Sequence, residues 1–337
     1  MSANPRVIVY HYTYSPYARR LIWYLALRGI PYSQCLQPPL MPRPDVSRLG
    51  ISYRRIPILT IGRDVYLDTR LQIPKLEALF PSLPRLGATK PDEVGLERLL
   101  SSFTNDTGIL NTAMQLLPQD LPLLQDPAYY RDRGEFIGAN LSGESMEAKK
   151  PDALVEVARA FNFLETTLLA DGRNWILGTE KPSLADIEAI WPFHWMAGLP
   201  GTLPQDKFSA SVYPRVYAWI GRFQDAVSTA KKRVGKPATL SGDEAEQNIQ
   251  AVAFSEPERD VDSKDAVVAA QGLRRGDVVM VWPTDTGSSW RDKGKLVSID
   301  SEEVVYEAPG NDGTVRVHAP RHGFRVEKVM DGESSKL

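Results

Sequence analysis

The sequence predicts three structural units: a small α/β domain, an all-helical domain and a small all-β module. Strand and helix signals alternate over residues 1–84, apolar stripes recur at helical spacing over 92–235, and short alternating strands separated by turn residues follow over 272–329. The length of 337 residues suits two or three hydrophobic cores better than one. We therefore expect a multidomain protein of mixed α/β, all-α and all-β class.

Composition and charge exclude several classes of protein. The net charge of -2, from 40 basic and 42 acidic residues, argues against a chain that mainly neutralises nucleic-acid phosphates. A single cysteine, Cys35, permits neither an intramolecular disulfide nor a zinc cluster of thiolates. The polar N-terminal residues do not resemble a signal peptide, and no apolar run approaches the length of about 18 residues that a spanning helix needs. We expect a cytoplasmic protein that binds neither membrane nor nucleic acid.

The first domain begins with a strand over 6–14, which is rich in β-branched and aromatic side chains. Ser15 is a favoured N-cap and Pro16 fits the first helical position, so a helix follows and ends at Gly29. The remaining predicted elements are strands over 31–36, 56–61 and 63–68 and a helix over 69–80.

The second domain, over 92–235, is predicted to be all-helical. Ser183 and Asp186 form a capping-box pattern in front of one apolar helix, and Pro214 opens the last helix. That helix ends in Lys231, Lys232 and Arg233, whose positive charges suit the negative end of the helix dipole.

Residues 236–271 are charged and weakly apolar, which predicts a linker with one short helix near 242–254. Short strands are then predicted over 277–283, 294–300, 302–307 and 314–319. Their number and size are typical of an SH3-like or Tudor-like barrel.

Four sequence motifs in the first 235 residues resemble the glutathione S-transferase family. They are Ser15-Pro16-Tyr17-Ala18-x-Arg20 after the first strand, Arg55-Ile56-Pro57 before the third, Leu67-Asp68-Thr69 at a helix start, and the Ser183–Asp186 box. The resemblance implies a thioredoxin-like first domain that binds glutathione and a helical substrate domain. The added β module resembles what some fungal members of the family carry.

The resemblance also implies roles for individual residues. Ser15 would donate a hydrogen bond to the glutathione thiolate, at a helix N-terminus that already favours anions. Ile56 and Pro57 would align the cysteinyl part of glutathione, while Asp68 and Thr69 would hold its γ-glutamyl end. Each has a structural alternative, because serine, aspartate and threonine are ordinary helix-capping residues.

Other side chains could contribute to substrate binding. Arg43 and Arg55 are candidates for binding the glycyl carboxylate of glutathione, with a role as solvated surface arginines as the alternative.

The pocket for the second substrate could be lined by Tyr14, Tyr17, Trp191, His194 and Trp195, with core packing as the alternative for the last three. Tyr10, Tyr12 and Tyr14 are rival thiol activators, since some classes of the family use tyrosine, with packing in the sheet as the alternative. The four histidines show no metal-ligand spacing, so we expect no metal.

The resemblance implies a homodimeric, glutathione-dependent transferase that acts on a small electrophilic, partly apolar substrate. The reaction would be conjugation, or a transient addition for isomerisation or elimination, in detoxification or secondary metabolism. Because serine stands where cysteine-type members carry cysteine, a mixed disulfide with glutathione cannot form at this position. The alternative is a non-catalytic adaptor or ligand-binding protein, whose β module recruits a protein partner.

Overall fold

The computed structural model describes residues 6–330 and gives the first domain the predicted order of elements. Helix α1 begins where the Ser15 side chain accepts a hydrogen bond from the Ala18 amide, and it ends at Gly29, whose φ is 74°. The elements are β1 (Val7–His11), α1 (Pro16–Arg28), β2 (Ser33–Leu36), α2 (Pro44–Ser47), β3 (Ile58–Ile61), β4 (Asp64–Leu67) and α3 (Thr69–Leu79). The thioredoxin-like and helical fold that the resemblance implied is confirmed.

The second domain is helical, as predicted. Its helices are α4 (Pro91–Asn105), α5 (Ile109–Met114), α6 (Pro127–Ile137), α7 (Gly143–Phe163), α8 (Leu184–Ala197) and α9 (Pro214–Val234), with a 3-10 helix at Pro122–Gln125 and a π-helical turn at Leu164–Leu168. The capping box at the start of α8 is present, and Asp186 also accepts a hydrogen bond from Trp219 Nε1 at 2.9 Å. Helix α8 packs against both α1 and α4, so it joins the two domains through one apolar core.

Residues 236–271 pack along the first domain, although their composition suggested a linker. They form β5 (Ala238–Thr239), α10 (Gly242–Gln250) and α11 (Ala266–Gln271). Strand β5 pairs in parallel with β2, and α10 packs on α2. Arg48 forms ion pairs with Asp243 and with Glu246, the latter at 2.8 Å. Several of these contacts are polar, which is why an apolar pattern in the sequence did not reveal the packing.

The small β module predicted at the C-terminal end is confirmed. Its strands are β6 (Val278–Pro283), β7 (Asp292–Ile299), β8 (Glu303–Pro309), β9 (Thr314–Pro320) and β10 (Phe324–Lys328). All are antiparallel to their neighbours within the module, and β10 returns to pair with β6. Sequence analysis missed β10, whose five residues include three charged side chains.

The module is continuous with the first domain rather than a separate body. Strand β9 pairs in parallel with β4, with Val65 opposite Val317 and Tyr66 opposite His318. A ten-stranded sheet results, in the order β10-β6-β7-β8-β9-β4-β3-β1-β2-β5. One hydrophobic cluster contains side chains from both units. The edge of β4 is thus covered within the chain, which removes an exposed strand edge.

A buried ionic cluster lies where the module meets the first domain. His318 Nε2 is 3.0 Å from Asp64 Oδ1, and His318 Nδ1 is 2.9 Å from Glu303 Oε2. Lys75 Nζ reaches Glu256 at 2.7 Å and Glu303 at 2.6 Å. Burial alone would lower the pKa of His318, but its hydrogen bonds to Asp64 and Glu303 raise it. His318, which lies between two carboxylates, therefore stabilises the contact between the β module and the first domain.

Candidate functional site

The Ser15 side chain lies at the N-terminus of α1 and is 2% exposed. Its Oγ accepts a hydrogen bond from the Ala18 amide, with a donor–acceptor distance of 3.3 Å. A hydroxyl that accepts in this way keeps its own proton for donation. The capping role and the proposed role toward a thiolate are therefore compatible.

Pro57 follows a cis peptide bond from Ile56 and immediately precedes β3. The Gln72 side chain, on α3, donates to the Pro57 carbonyl and to the Tyr66 carbonyl, at 2.9 Å in each case. The segment at 56–57 is thus attached to the helix that begins at Thr69.

Asp68 caps α3 and has an unusual backbone conformation, with φ of 64°. Its carboxylate accepts from the Arg70 amide at 3.0 Å and pairs with the Arg70 guanidinium at 2.9 Å. It also lies 3.6 Å from Arg55 Nη1. Burial alone would raise the pKa of Asp68, but Arg70 and Arg55 lower it to about 2. Asp68 is therefore negatively charged at neutral pH.

Thr69 is held by Arg20, a buried residue of α1. Thr69 Oγ1 accepts from Arg20 Nη1 at 2.6 Å, which leaves the threonine proton free for donation. Arg20 is 1% exposed and forms an ion pair with Glu188 on α8. Sequence analysis quoted Arg20 in the first motif but missed this role. The available signal was the position of Arg20 in the sequence, next to the apolar residue Leu21, in a helix predicted to bury an apolar face.

Arg43 and Arg55 have different environments, and neither is a solvated surface residue. Arg43 is buried and donates to the Pro38 and Pro39 carbonyls at 3.0 and 3.1 Å, and to the Arg54 carbonyl. Its nitrogens stabilise the proline-rich loop.

Arg55 lies beside Asp68, at the end of the site expected to take the γ-glutamyl group. The glycyl carboxylate lies at the opposite end of the tripeptide. Arg55 and Asp68 therefore lie at the same end of the candidate site, and the role of Arg55 toward the glycyl carboxylate stays a prediction.

The candidates for the second-substrate pocket are divided between core and surface. Trp191 has no exposed surface and packs against Tyr17, with ring centroids 4.8 Å apart. Trp195 is also buried, and His194 Nε2 lies 2.6 Å from Gln224 Oε1. Trp191 and Trp195 are therefore packed in the core, whereas His194 is only partly buried, and the role of these residues in a second-substrate pocket stays a prediction. Tyr14 is exposed and could contact a ligand.

The tyrosines proposed as rival activators also differ in exposure. Tyr10 is completely buried, and burial raises its pKa well above the usual value. It cannot reach a ligand in this structure. Tyr12 and Tyr14 lie with ring centroids 4.9 Å apart at the end of β1 and stay candidates.

The β6–β7 loop and the first residue of β10 in the β module contact two neighbouring arginines of the first domain. Trp290 lies over the guanidinium of Arg54, whose carbon is 4.5 Å from the ring centroid, and Phe324 lies over Arg55 at 6.0 Å. In the same module, the guanidinium carbon of Arg291 lies 4.3 Å from the centroid of the Trp282 ring. These aromatic side chains pack against arginines of the same chain.

Within residues 6–330, no group of three or more His, Cys, Asp or Glu side chains could hold a metal ion. Over the same residues, no helix is both long and apolar enough to span a membrane.

Two family models match parts of the chain. Residues 9–85 match the glutathione S-transferase N-terminal domain, and residues 112–232 match a domain of unknown function, DUF7962. No curated protein matches the sequence.

Several solved structures are similar in fold. A GST-like protein from Pseudomonas syringae is 24% identical, with a TM-score of 0.68, and the match covers 96% of this chain and 100% of that one. Rice GST1, in complex with glutathione, is 17% identical over 73% of this chain and 97% of that one, with a TM-score of 0.50. The beta-etherase LigF from Sphingobium sp. strain SYK-6 is 16% identical over 67% of this chain and 99% of that one, with a TM-score of 0.51.

The fold is that of a glutathione S-transferase with an added C-terminal β module. Residues 9–85 match the model of the glutathione S-transferase N-terminal domain family, which confirms the resemblance stated from the sequence. Because the match to the Pseudomonas structure covers 96% of this chain, it includes most of the β module. A bacterial protein thus shares this architecture, and the serine-type and fungal assignments stay predictions.

Proposed function

We propose that the protein is a glutathione-dependent transferase that activates the glutathione thiol for attack on a small electrophilic, partly apolar substrate. The observation that carries the proposal is the hydrogen bond from Arg20 to Thr69, at 2.6 Å. It fixes the helix capped by Ser15 against the N-terminus of α3. Two helix N-termini that favour anions are thereby held together, and glutathione offers a thiolate and a γ-glutamyl carboxylate.

Each residue has a defined role in this proposal. The Ser15 hydroxyl donates to the thiolate, which lowers the thiol pKa from its ordinary value of about 8.5. The backbone at Ile56 and Pro57 aligns the cysteinyl part, Thr69 donates to the γ-glutamyl carboxylate, and Asp68 accepts from the γ-glutamyl ammonium. The thiolate sulfur then forms a bond to an electrophilic carbon, and either a leaving group departs from that carbon with its bonding electron pair or, in an addition, the electrons of a π bond move to the neighbouring atom. The choice among conjugation, isomerisation and elimination, and between detoxification and secondary metabolism, stays a prediction.

Replacing Ser15 with alanine is expected to lower kcat at least tenfold and to change glutathione affinity little, because the hydroxyl acts on the thiolate. Ultraviolet absorbance of the bound thiolate, measured against pH, should show a raised thiol pKa in Ser15→Ala. The lost helix cap should also lower the free energy of unfolding by about 1 kcal/mol. Ser142→Ala is the matched control, since Ser142 caps α7 at an exposed position. Equal kcat values in both variants would exclude Ser15 as the activating group.

The adaptor alternative lacks comparable support, because Trp282, Trp290 and Phe324 of the module pack against arginines of the same chain. A homodimer and a cytoplasmic location stay predictions. Since β9 covers the edge of β4, a dimer would have to use another surface.

A further inference from the structure

The loop between β6 and β7, residues 284–291, forms hydrogen bonds with both the first and the second domain. Its contact with the first domain is to Arg55, which lies beside Asp68. Arg55 donates to the Thr286 carbonyl through Nε at 3.0 Å and Nη2 at 2.7 Å. On the other side, the Gly287 amide donates to the Phe136 carbonyl on α6 at 2.8 Å. The loop therefore has a fixed position at one end of the proposed glutathione site.

This loop brings a second carboxylate to the same guanidinium that Asp68 faces. Asp285 forms an ion pair with Arg55 Nη2, while Asp68 Oδ2 lies 3.6 Å from Arg55 Nη1. Arg70 is bound in turn by Asp68 and Asp106, at 2.9 Å each. Three carboxylates thus surround two guanidinium groups, and the formal charge of the group is negative. Such a group favours an added cation at this end of the site.

Exposure distinguishes Asp285 from the other members of this group. Its side chain is 64% exposed, whereas those of Arg55 and Asp68 are 14% and 10% exposed. An ion pair with so exposed a partner contributes little to stability. Arg55 is already held by the Thr286 carbonyl and by Asp68, so its position does not depend on Asp285. The carboxylate of Asp285 is accessible to a ligand.

We propose that Asp285 is a specificity-determining residue for glutathione, supplied by the β module. Together with Asp68 it binds the ammonium group of the γ-glutamyl end. This inference rests on the proposed function, and it gives the added module a part in recognising the substrate. A γ-glutamyl compound that lacks the amino group would lose this interaction while keeping its carboxylate, thiol and peptide groups.

The test is calorimetric titration of the full chain with two ligands: reduced glutathione and its analogue without the γ-glutamyl amino group. Asp285→Asn should weaken glutathione binding about fivefold, as expected for one partly exposed charge interaction. The same variant should leave affinity for the analogue unchanged. Glu302→Gln is the matched control, because Glu302 is an exposed acidic residue of the same module. It should change neither affinity.

Each other outcome has a distinct meaning. Unchanged glutathione affinity in Asp285→Asn would overturn the role of Asp285 and leave the proposed function standing. Equal losses for glutathione and the analogue would show that Asp285 acts on the loop and not on the ammonium, which also overturns the inference. If the unaltered protein binds no glutathione, the proposed function fails and the inference fails with it.

Discussion

Glu188→Ala is expected to lower the free energy of unfolding by about 3 to 5 kcal/mol, because it leaves the buried guanidinium of Arg20 without a counter-charge. Both side chains are almost fully buried. The other groups that accept from Arg20, on Ser101, Asn105 and Thr69, are neutral and cannot replace a carboxylate. Urea unfolding of the two proteins measures the difference.

The matched control for this prediction is Glu156→Ala. Glu156 pairs with Arg159 on the surface of α7, and both side chains are more than half exposed. Removing an exposed partner should cost at most about 1 kcal/mol. Equal losses of unfolding free energy in the two variants would contradict the prediction that the buried Arg20–Glu188 pair stabilises the protein more than an exposed pair does. Because Arg20 also positions Thr69, folded Glu188→Ala should bind glutathione more weakly, whereas Glu156→Ala should not.

Local signals in the sequence predicted most elements of the first two domains. Ser15 and Gly29 mark the ends of α1, and Ser183 marks the start of α8, because capping depends on a few adjacent residues. The docking of the β module could not be predicted in this way. It depends on Asp64 meeting His318 across 254 positions of the chain, and neither residue is distinctive alone.

The candidate site could be predicted only in part. Pro57 precedes β3, and Asp68 and Thr69 begin α3, but spacing along the chain did not reveal the partners of these residues, and their roles toward glutathione stay predictions. Arg20 and Arg55 acquire their roles from residues on α8 and in the β6–β7 loop, which no local pattern connects to the first domain. Long-range polar contacts of this kind become visible only in the folded chain.

His318→Gln is expected to lower the free energy of unfolding by about 3 kcal/mol near pH 6, because it removes the positive charge between Asp64 and Glu303. Glu256, Lys75 and Arg259 also face this cluster. Lys75 and Arg259 stay within ion-pair distance of Glu303, but Asp64 loses its charged partner on β9. Urea unfolding of full-length protein measures the loss.

The pH dependence of this difference is the sharper test. The hydrogen bonds raise the pKa of His318 in the folded chain above its unfolded value of about 6.5. Its contribution is therefore complete below about pH 6.5 and is lost as the pH rises through the folded pKa. Burial alone would raise the pKa of Glu303, but His318 and Lys75 lower it to about 2. The contribution of Glu303 is present above its unfolded pKa and is lost as the pH falls toward 2.

The free-energy difference between the unaltered protein and His318→Gln should thus be largest in mildly acidic solution and should shrink as the solution becomes alkaline. His322→Gln is the control on the same module, since His322 is exposed and lies 3.4 Å from Asp106. It should have little effect at any pH. A difference for His318→Gln that stays constant from pH 5 to pH 9 would show that the histidine acts through packing alone. A difference that shrinks would establish that the charge of His318 helps to hold the β module against the first domain.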